Sequence, residues 1–267
     1  MTSAANPTLT TPSGAPPRQG DGLTEPALYR LLAWTSPGYP TGAFSYSHGL
    51  EWAVEASTVT DLETLLDYVT AVLSQGGGWV DAVLFVHAWR ATCGSAQSHG
   101  EADEYAHAPT VRSAELTEIT ELATAFRGSS ETALESRQQG AAFLDVTRKA
   151  WPHPTLDALA AQAASTNTPV AHCVAVAVAC AAHQIPLLPA LHAYIHAVAA
   201  NLVSAGARLI PLGQTQAQIA IARLSPTIGD IIERALTTSL DDLGTAAPAV
   251  ELCSLRHETQ YTRLFRS

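Results

Sequence analysis

Two pairs of metal-ligand side chains stand out in the sequence because each pair has helical spacing. His192 and His196 are four residues apart, and Cys180 and His183 are three apart. Such spacing places both side chains of a pair on one helix face, where they could supply two ligands to a metal ion. The alternative is that these side chains are buried or lie at an interface, where backbone carbonyls satisfy the histidine rings. Segment 192–196 (HAYIH) lacks the glutamate of a zinc protease, which excludes hydrolytic zinc chemistry.

Two short motifs that could support catalysis are incomplete. Ser47 is followed by Gly49, but Ser45 stands where the nucleophile motif G-x-S-x-G requires its first glycine. The three glycines of segment 76–78 are followed by Trp79 instead of the Lys-Ser or Lys-Thr of a phosphate-binding loop. No combination of residues therefore supports an enzyme, and we expect any nucleotide-driven step to be performed by a partner.

The end of the sequence has the composition of a recognition segment. Residues 256–267 (RHETQYTRLFRS) carry three arginines and one glutamate, together with Tyr, Leu and Phe. Arginine and aromatic side chains dominate the binding energy of protein interfaces. The alternative is a short helix docked on its own domain. The residues that we predict to bind a partner here are Arg256, His257, Glu258, Tyr261, Arg263, Leu264, Phe265, Arg266 and Ser267.

The elements that must position these residues are helices, because apolar residues recur with helical periodicity and no stretch alternates like a strand. The clearest helix begins at Thr60, where Thr60 and Glu63 are spaced as a capping box, and it ends at glycines 76–78. The pairs Thr168-Pro169 and Ser225-Pro226 predict two further helix starts. The other helices are predicted at 25–35, 43–56, 79–92, 112–127, 130–150, 155–165, 169–183, 187–204, 212–224 and 227–239.

This pattern predicts an all-α protein with one globular domain. Residues 1–22 contain four prolines and three glycines and are predicted to be a disordered tail. Residues 23–255 form the helical domain, in which the polar segment 94–109 is a loop, and 256–267 form the partner-binding segment. The helix at 187–204 is apolar over a wide surface, which predicts a homodimer built on it and on 169–183. The predicted interface residues are Leu191, His192, Tyr194, Ile195 and His196.

The amino-acid composition and net charge argue against some classes of function and favour others. Fourteen basic residues against 24 acidic ones give a net charge of −10, which argues against nucleic acid as a partner. Only 14% of the residues are charged and 47% are hydrophobic, so we expect other protein chains to cover part of the surface. The alternative is an alanine-rich helical protein with an ordinary surface. The absence of a signal peptide, of a membrane-length apolar run and of a CxxC pair predicts a cytoplasmic protein that does not bind membranes.

Three motifs in a fixed order give the sequence a family resemblance. The first is segment 40–51 (PTGAFSYSHGLE), the second is 208–214 (RLIPLGQ), and the third is the terminal H-E-x-x-x-x-R-L-F-R-S. Together they resemble the UreF family of urease accessory proteins from about Leu28 to Ser267. His172-Cys173 departs from the family, which usually has a small residue there. The residues that the first two motifs add as predicted partner contacts are Gly42, Phe44, Ser47, Gly49, Glu51, Arg208, Pro211, Gly213 and Gln214.

The resemblance implies an all-helical protein without catalytic activity or a resident cofactor. Members of the family dimerise and bind UreD, also called UreH; the complex recruits the GTPase UreG and acts on apo-urease so that nickel enters its active site. The resemblance therefore predicts a scaffold and co-chaperone for urease maturation. We expect the terminal segment to be loosely held in the free protein and to become ordered in the complex. The alternative function is a helical nickel carrier that uses His192 and His196, or Cys180 and His183.

Overall fold

The computed structural model describes residues 22–94 and 113–266, and within these two ranges the regular structure is helical throughout. The order of elements confirms the all-α prediction. The helices are α1 (Glu25–Trp34), α2 (Leu50–Glu55), α3 (Leu62–Gln75), α4 (Gly77–Cys93), α5 (Ser113–Ala125), α6 (Ser130–Ala150), α7 (Pro154–Thr166), α8 (His172–Ala182), α9 (Leu187–Leu209), α10 (Gln214–Ala235) and α11 (Pro248–His257). Short 3₁₀ turns occupy Ala43–Ser45 and Leu240–Asp242. The predicted tail, except Gly22, and most of the predicted loop lie outside the described residues.

The core is built around α8, whose side chains are almost all buried. Its sequence, HCVAVAVACAA, consists mainly of alanine and valine, so neighbouring helices can approach closely on every side. Helix α4 packs against it and buries Phe85 and Leu84 completely. Helix α6 packs on another side of α8. These three helices therefore form the centre from which the functional surface is supported.

Gly140 of α6 marks the closest approach in this centre. A β-carbon at this position would lie 2.0 Å from the carbonyl oxygen of Val170 and 2.9 Å from the backbone nitrogen of His172. The chain just before α8 therefore lies directly on the α6 backbone, which is possible only because residue 140 has no side chain.

The helix starts differ from the sequence-based expectation at three places. Asp61, and not Thr60, caps α3, because its side chain accepts from the Thr64 amide at 2.9 Å. Helix α8 begins at His172 instead of 169, since the Pro169 carbonyl accepts from the Thr124 hydroxyl at 3.0 Å. The two helices predicted at 212–224 and 227–239 are one helix, α10, with Pro226 inside it.

Burial explains why α10 continues through its proline. An interior proline removes a backbone hydrogen bond and costs about 3 kcal/mol. Residues on both sides of Pro226 lie on one buried face, which packs against α3, α4 and α9. We infer that this shared burial outweighs the cost of the proline. The buried residues of that face are Ala217, Ala220, Leu224, Ile228, Ile231, Ile232 and Ala235.

The segment predicted as one helix at 43–56 is divided by a left-handed bend. His48 and Gly49 have φ values of 53° and 77°, and α2 begins only at Leu50. A β-carbon on Gly49 would lie 2.5 Å from the Ser254 nitrogen of α11. Glycine is thus required at 49 both for the backbone conformation and for the close approach of α11.

The predicted dimer residues divide into two groups on α9. Leu191, Tyr194 and Ile195 are at most 2% exposed and pack into the core of their own chain, so they cannot form a contact surface for a second copy. This part of the interface prediction is wrong because the periodic apolar face of α9 serves the internal core. His192 and His196 lie on the opposite, exposed face. These two residues remain available to a partner.

Among the residues that the structure describes, two stretches are long and apolar enough to cross a membrane, Leu62–Cys93 and Leu187–Leu209. The first contains both α3 and α4, and 67% of its most apolar window is buried inside the protein, against 44% for the second. Core helices of water-soluble proteins meet the same criterion, so these stretches are weak support for a membrane span.

Candidate functional site

The three motifs, which are far apart in the sequence, meet at one place in the fold. The Arg208 side chain donates to the Phe44 carbonyl at 2.9 Å, and its guanidinium carbon lies 4.3 Å from the centre of the Phe265 ring. The Arg266 amide donates to the Ser45 carbonyl at 2.7 Å. We call residues 42–51, 208 and 257–266 the three-motif surface.

Glu51 is the residue that fastens the terminal segment to α2. Its carboxylate accepts from the backbone amides of Leu264 and Phe265 at 2.6 and 2.9 Å and contacts the His257 Nε2 atom at 3.1 Å. Glu51 is 7% exposed, so its charge depends on these donors for stabilisation. The first motif thus ends in a buried carboxylate whose partners all belong to the third.

His257 lies fully buried between two carboxylates. Its Nδ1 atom is 2.7 Å from Glu131, while Nε2 faces Glu51. Each ring nitrogen therefore has a carboxyl oxygen within hydrogen-bond distance, and the buried ring leaves no polar atom without a partner. Arg263 donates to the second oxygen of Glu131 at 2.6 Å. These contacts form one network that joins α2, α6, α11 and the terminal segment.

The terminal segment is docked in the structure, which differs from the expectation that it is loosely held. His257 is buried and Phe265 is 3% exposed. Arg263 is paired with Glu131 of its own chain, so its charge is already engaged. Glu258 likewise accepts from the amide and hydroxyl of Ser130. The segment is docked because Glu51 and Glu131 provide buried hydrogen-bond acceptors for it. The spacing of the terminal residues alone does not indicate that these acceptors exist.

Several predicted partner residues do remain exposed at this surface. Phe44 and Leu264 are each 66% exposed, and Tyr261 is fully exposed. Ser47 is buried, and its hydroxyl oxygen accepts from the Glu51 amide, so it has an internal role. The exposed residues of the segment also include Arg256 and Arg266, whereas Ser267 lies outside the described residues.

The rest of the second motif lies at the turn between α9 and α10. Pro211, Gly213 and Gln214 are exposed there. In the described part of the chain, no hydrogen bond or ring contact connects these three residues to the other two motifs. Arg208 is thus the residue of the second motif that contacts the first and third motifs.

A cavity of about 80 Å³, lined by both polar and apolar residues, lies next to the three-motif surface at His48, and no sequence motif indicated it. It is enclosed by the ends of several helices, with α11 forming one wall. Asp81, the one acidic residue of the apolar helix α4, was the signal that could have indicated polar groups in the interior. The charged and polar side chains that line the cavity include His48, Asp81, Arg127, Glu135, Gln139, His172 and Tyr194.

Four ionisable groups of the cavity form two pairs. Arg127 contacts Asp81 at 2.8 Å, and the Tyr194 hydroxyl donates to the other Asp81 oxygen at 2.8 Å. Burial alone would raise the pKa of Asp81, but the Arg127 charge and the Tyr194 hydroxyl outweigh burial and lower it. His48 lies 3.1 Å from Glu135. Burial would lower the pKa of His48, but the charge and hydrogen bond of Glu135 raise it.

His172 shows the opposite behaviour in the same cavity. Burial lowers its pKa to about 4, against the smaller attraction of Asp81 and Glu135. Its ring packs between Phe143 and Tyr194, with centroid separations of 5.9 and 5.5 Å. The ring is therefore neutral at physiological pH.

The two candidate metal-binding pairs have different surroundings. Cys180 is fully buried, and burial raises the pKa of its thiol. His183 contacts the Trp151 carbonyl at 3.1 Å through Nε2, as expected for a histidine satisfied by backbone. His192 and His196 are exposed on α9. Among the residues that the structure describes, no group of three or more His, Cys, Asp or Glu side chains is arranged to hold a metal ion.

Comparisons with known proteins agree with the motif pattern. A family model described as UreF matches residues 59–225. A protein of Bradyrhizobium diazoefficiens named urease accessory protein UreF is 48% identical over 241 residues, which cover 90% of this chain and 92% of the relative. A protein of the same name from Bradyrhizobium sp. strain ORS 278 is 45% identical over 258 residues, covering 97% and 99%. The chain belongs to the UreF family of urease accessory proteins.

Proposed function

We propose that this protein is a non-enzymatic scaffold and co-chaperone that helps nickel enter apo-urease in the cytoplasm. Its partners in this proposal are UreD (UreH), the GTPase UreG and apo-urease. The observation that supports it most is the three-motif surface, where buried ion pairs fix the backbone while Phe44, Tyr261 and Leu264 stay exposed. Large exposed apolar side chains on a rigid support are typical of a protein-binding surface.

Complementation of a urease operon that lacks this gene tests the proposal. We expect the wild-type gene to restore urease activity in nickel-containing medium and the purified chain to capture UreD and UreG. Leu264→Asp should abolish capture and activation, because it places a charge at the contact. Ile219→Asp on α10 is the matched control, since Ile219 is also exposed, at 44%. Activation by the Leu264→Asp variant at the wild-type level would contradict this role of the surface.

A homodimer is part of the proposal, with the exposed face of α9 as its contact. His192, His196 and Leu188 lie on this face, and Leu188 is 40% exposed. We expect light scattering to show a dimer at tens of micromolar and Leu188→Asp combined with His196→Asp to give a folded monomer. A monomeric wild-type chain, or a double variant that stays dimeric, would contradict this assignment.

The nickel-carrier alternative is supported by the exposure of His192 and His196 four residues apart on α9. Calorimetric titration of the tag-free protein with nickel separates the two functions. Stoichiometric micromolar binding that is lost in the His192→Ala, His196→Ala variant would favour the carrier. The scaffold proposal expects no such binding by the chain alone.

A further inference from the structure

The backbone turn that carries Phe44 is held by other elements at four consecutive carbonyl groups. The side-chain amide of Asn201 donates to the backbone carbonyls of Ala43 and Tyr46, at 2.9 and 3.4 Å. Arg208 and the backbone amide of Arg266 donate to the two carbonyls between them, those of Phe44 and Ser45. Asn201 and Arg208 are both on α9, so one helix supplies three of the four bonds.

This fixed turn presents a large apolar side chain to solvent. Phe44 is 66% exposed, so it adds little to the core, although its own carbonyl and those of its neighbours are held by hydrogen bonds. Binding energy is lost when a flexible segment must be ordered on association, and a backbone that is already fixed avoids this loss. A rigid aromatic side chain on such a support has the properties of an interface anchor.

The charge around the turn indicates the chemistry of the partner. Arg208 and Arg266 hold the turn, and neither forms an ion pair with a carboxylate within the described residues. These two arginines give the turn a local positive charge, although the chain has a net charge of −10. Leu264, two residues before Arg266, adds a second exposed apolar side chain. A complementary surface therefore needs an apolar pocket with carboxylates at its edge.

We propose that Asn201 and Arg208 are positioning residues, which hold Phe44 ready to enter an apolar pocket with an acidic edge on a protein partner. This inference rests on the proposed function for the existence of a partner. It adds the chemistry of the partner's site and assigns a role to Asn201, which none of the three motifs contains.

The first experiment measures binding of the full chain to purified UreD and, separately, to purified UreG. With the partner that binds, we expect Phe44→Ala to weaken affinity about thirtyfold, as for an interface anchor, and Phe44→Leu to recover part of the loss. The control is Tyr29→Ala, since Tyr29 of α1 is also an exposed aromatic, at 69%. Equal affinities of the Phe44→Ala variant and the wild type would overturn the proposal. Wild-type affinity should fall with added salt. An affinity independent of salt would overturn the proposal that the partner's pocket has carboxylates at its edge.

The second experiment tests positioning with a double-mutant cycle. Asn201→Leu keeps the side-chain size but removes both donors, so we expect about tenfold weaker binding and faster hydrogen exchange at the Ser45 and Tyr46 amides. In the Phe44→Ala background the same change should have no further effect on affinity. A purely structural role would lower affinity equally in both backgrounds, and this result would overturn the assignment.

The outcomes separate this inference from the proposed function. If the wild-type chain binds neither UreD nor UreG, the proposed function fails, and the inference loses the partner on which it rests. If the wild-type chain binds one of them and Phe44→Ala binds equally well, only the present inference fails.

Discussion

At the scale of single residues, Glu51 joins the first and third motifs. We expect Glu51→Gln to lower the free energy of unfolding by about 1–3 kcal/mol, because the buried His257 loses a charged acceptor and the amide group of glutamine opposes the amides of Leu264 and Phe265. Denaturant unfolding measures the loss, and hydrogen exchange at residues 264 and 265 should become faster. Glu55→Gln is the control, since Glu55 is exposed and should change stability by less than about 0.5 kcal/mol. Equal stability of the two variants would contradict the fastening role of Glu51.

His172 of the cavity predicts a loss of stability in acid. His172 has a pKa of about 4 when folded and its ordinary value of 6.5 when unfolded. Between these values the unfolded chain binds a proton that the folded chain does not, so stability falls as pH decreases from 6.5 to 4, by an order of 2–3 kcal/mol. His48 acts in the opposite sense: its raised pKa gives a contribution that is complete below 6.5 and is lost as pH rises through the folded pKa.

The variant that isolates this effect is His172→Phe, which keeps an aromatic ring between Phe143 and Tyr194. Unfolding measured from pH 7 to 4 should show a smaller acid-dependent loss in the variant than in the wild type. The same dependence on pH in both proteins would show that His172 does not titrate in this way.

The sequence allowed some site residues to be predicted and not others. Gly49, Glu51 and Arg208 stand in the motifs, and the structure brings all three to one surface. Asn201 and Glu131 could not be predicted, because they act only through contacts with residues about 155 and 126 positions away. The sequence has no local pattern for such contacts.

At the scale of elements, helices with regular apolar periodicity were predicted to within a few residues. The bounds of α6 agree, at 130–150, because its own Ser129–Thr132 capping box fixes the start. The errors occur where another element competes with local preference. Pro226 indicates a helix start by itself, but the buried face of α10 keeps the helix continuous.

The contact between α6 and α8 gives a test at this scale. Gly140→Ala should destabilise the protein by several kcal/mol, about 3 or more, because the added methyl group must displace the Val170 backbone. Thermal unfolding followed by circular dichroism measures the change. Gly229→Ala in α10 is the matched control: nothing lies within 4 Å of the added carbon, so better helix propensity should stabilise the protein by about 0.5–1 kcal/mol. A tolerated Gly140→Ala would contradict the close approach.

At the scale of the whole molecule, the terminal segment is part of the folded body. Deletion of residues 256–267 should destabilise the protein by about 3–5 kcal/mol, because the buried carboxylates of Glu51 and Glu131 lose their hydrogen-bond donors, which include the Arg263 guanidinium. In the Glu51→Gln, Glu131→Gln background the same deletion should cost less, since no charge is then left unpaired. Denaturant unfolding of the four proteins measures both losses. A truncated chain as stable as the full chain would mean that the segment contributes no stabilisation.

The distance in sequence between Glu51 and its partners affects how the protein must be made. The Leu264 amide that binds the Glu51 carboxylate lies 213 positions later in the chain. Synthesis proceeds at about 5–20 residues per second, so Glu51 is added to the chain about ten seconds or more before Leu264. During that interval Glu51 must remain hydrated, and α2 cannot take its final place. A nascent chain therefore displays no finished docking face, and partners that recognise this face select chains whose synthesis has passed residue 266.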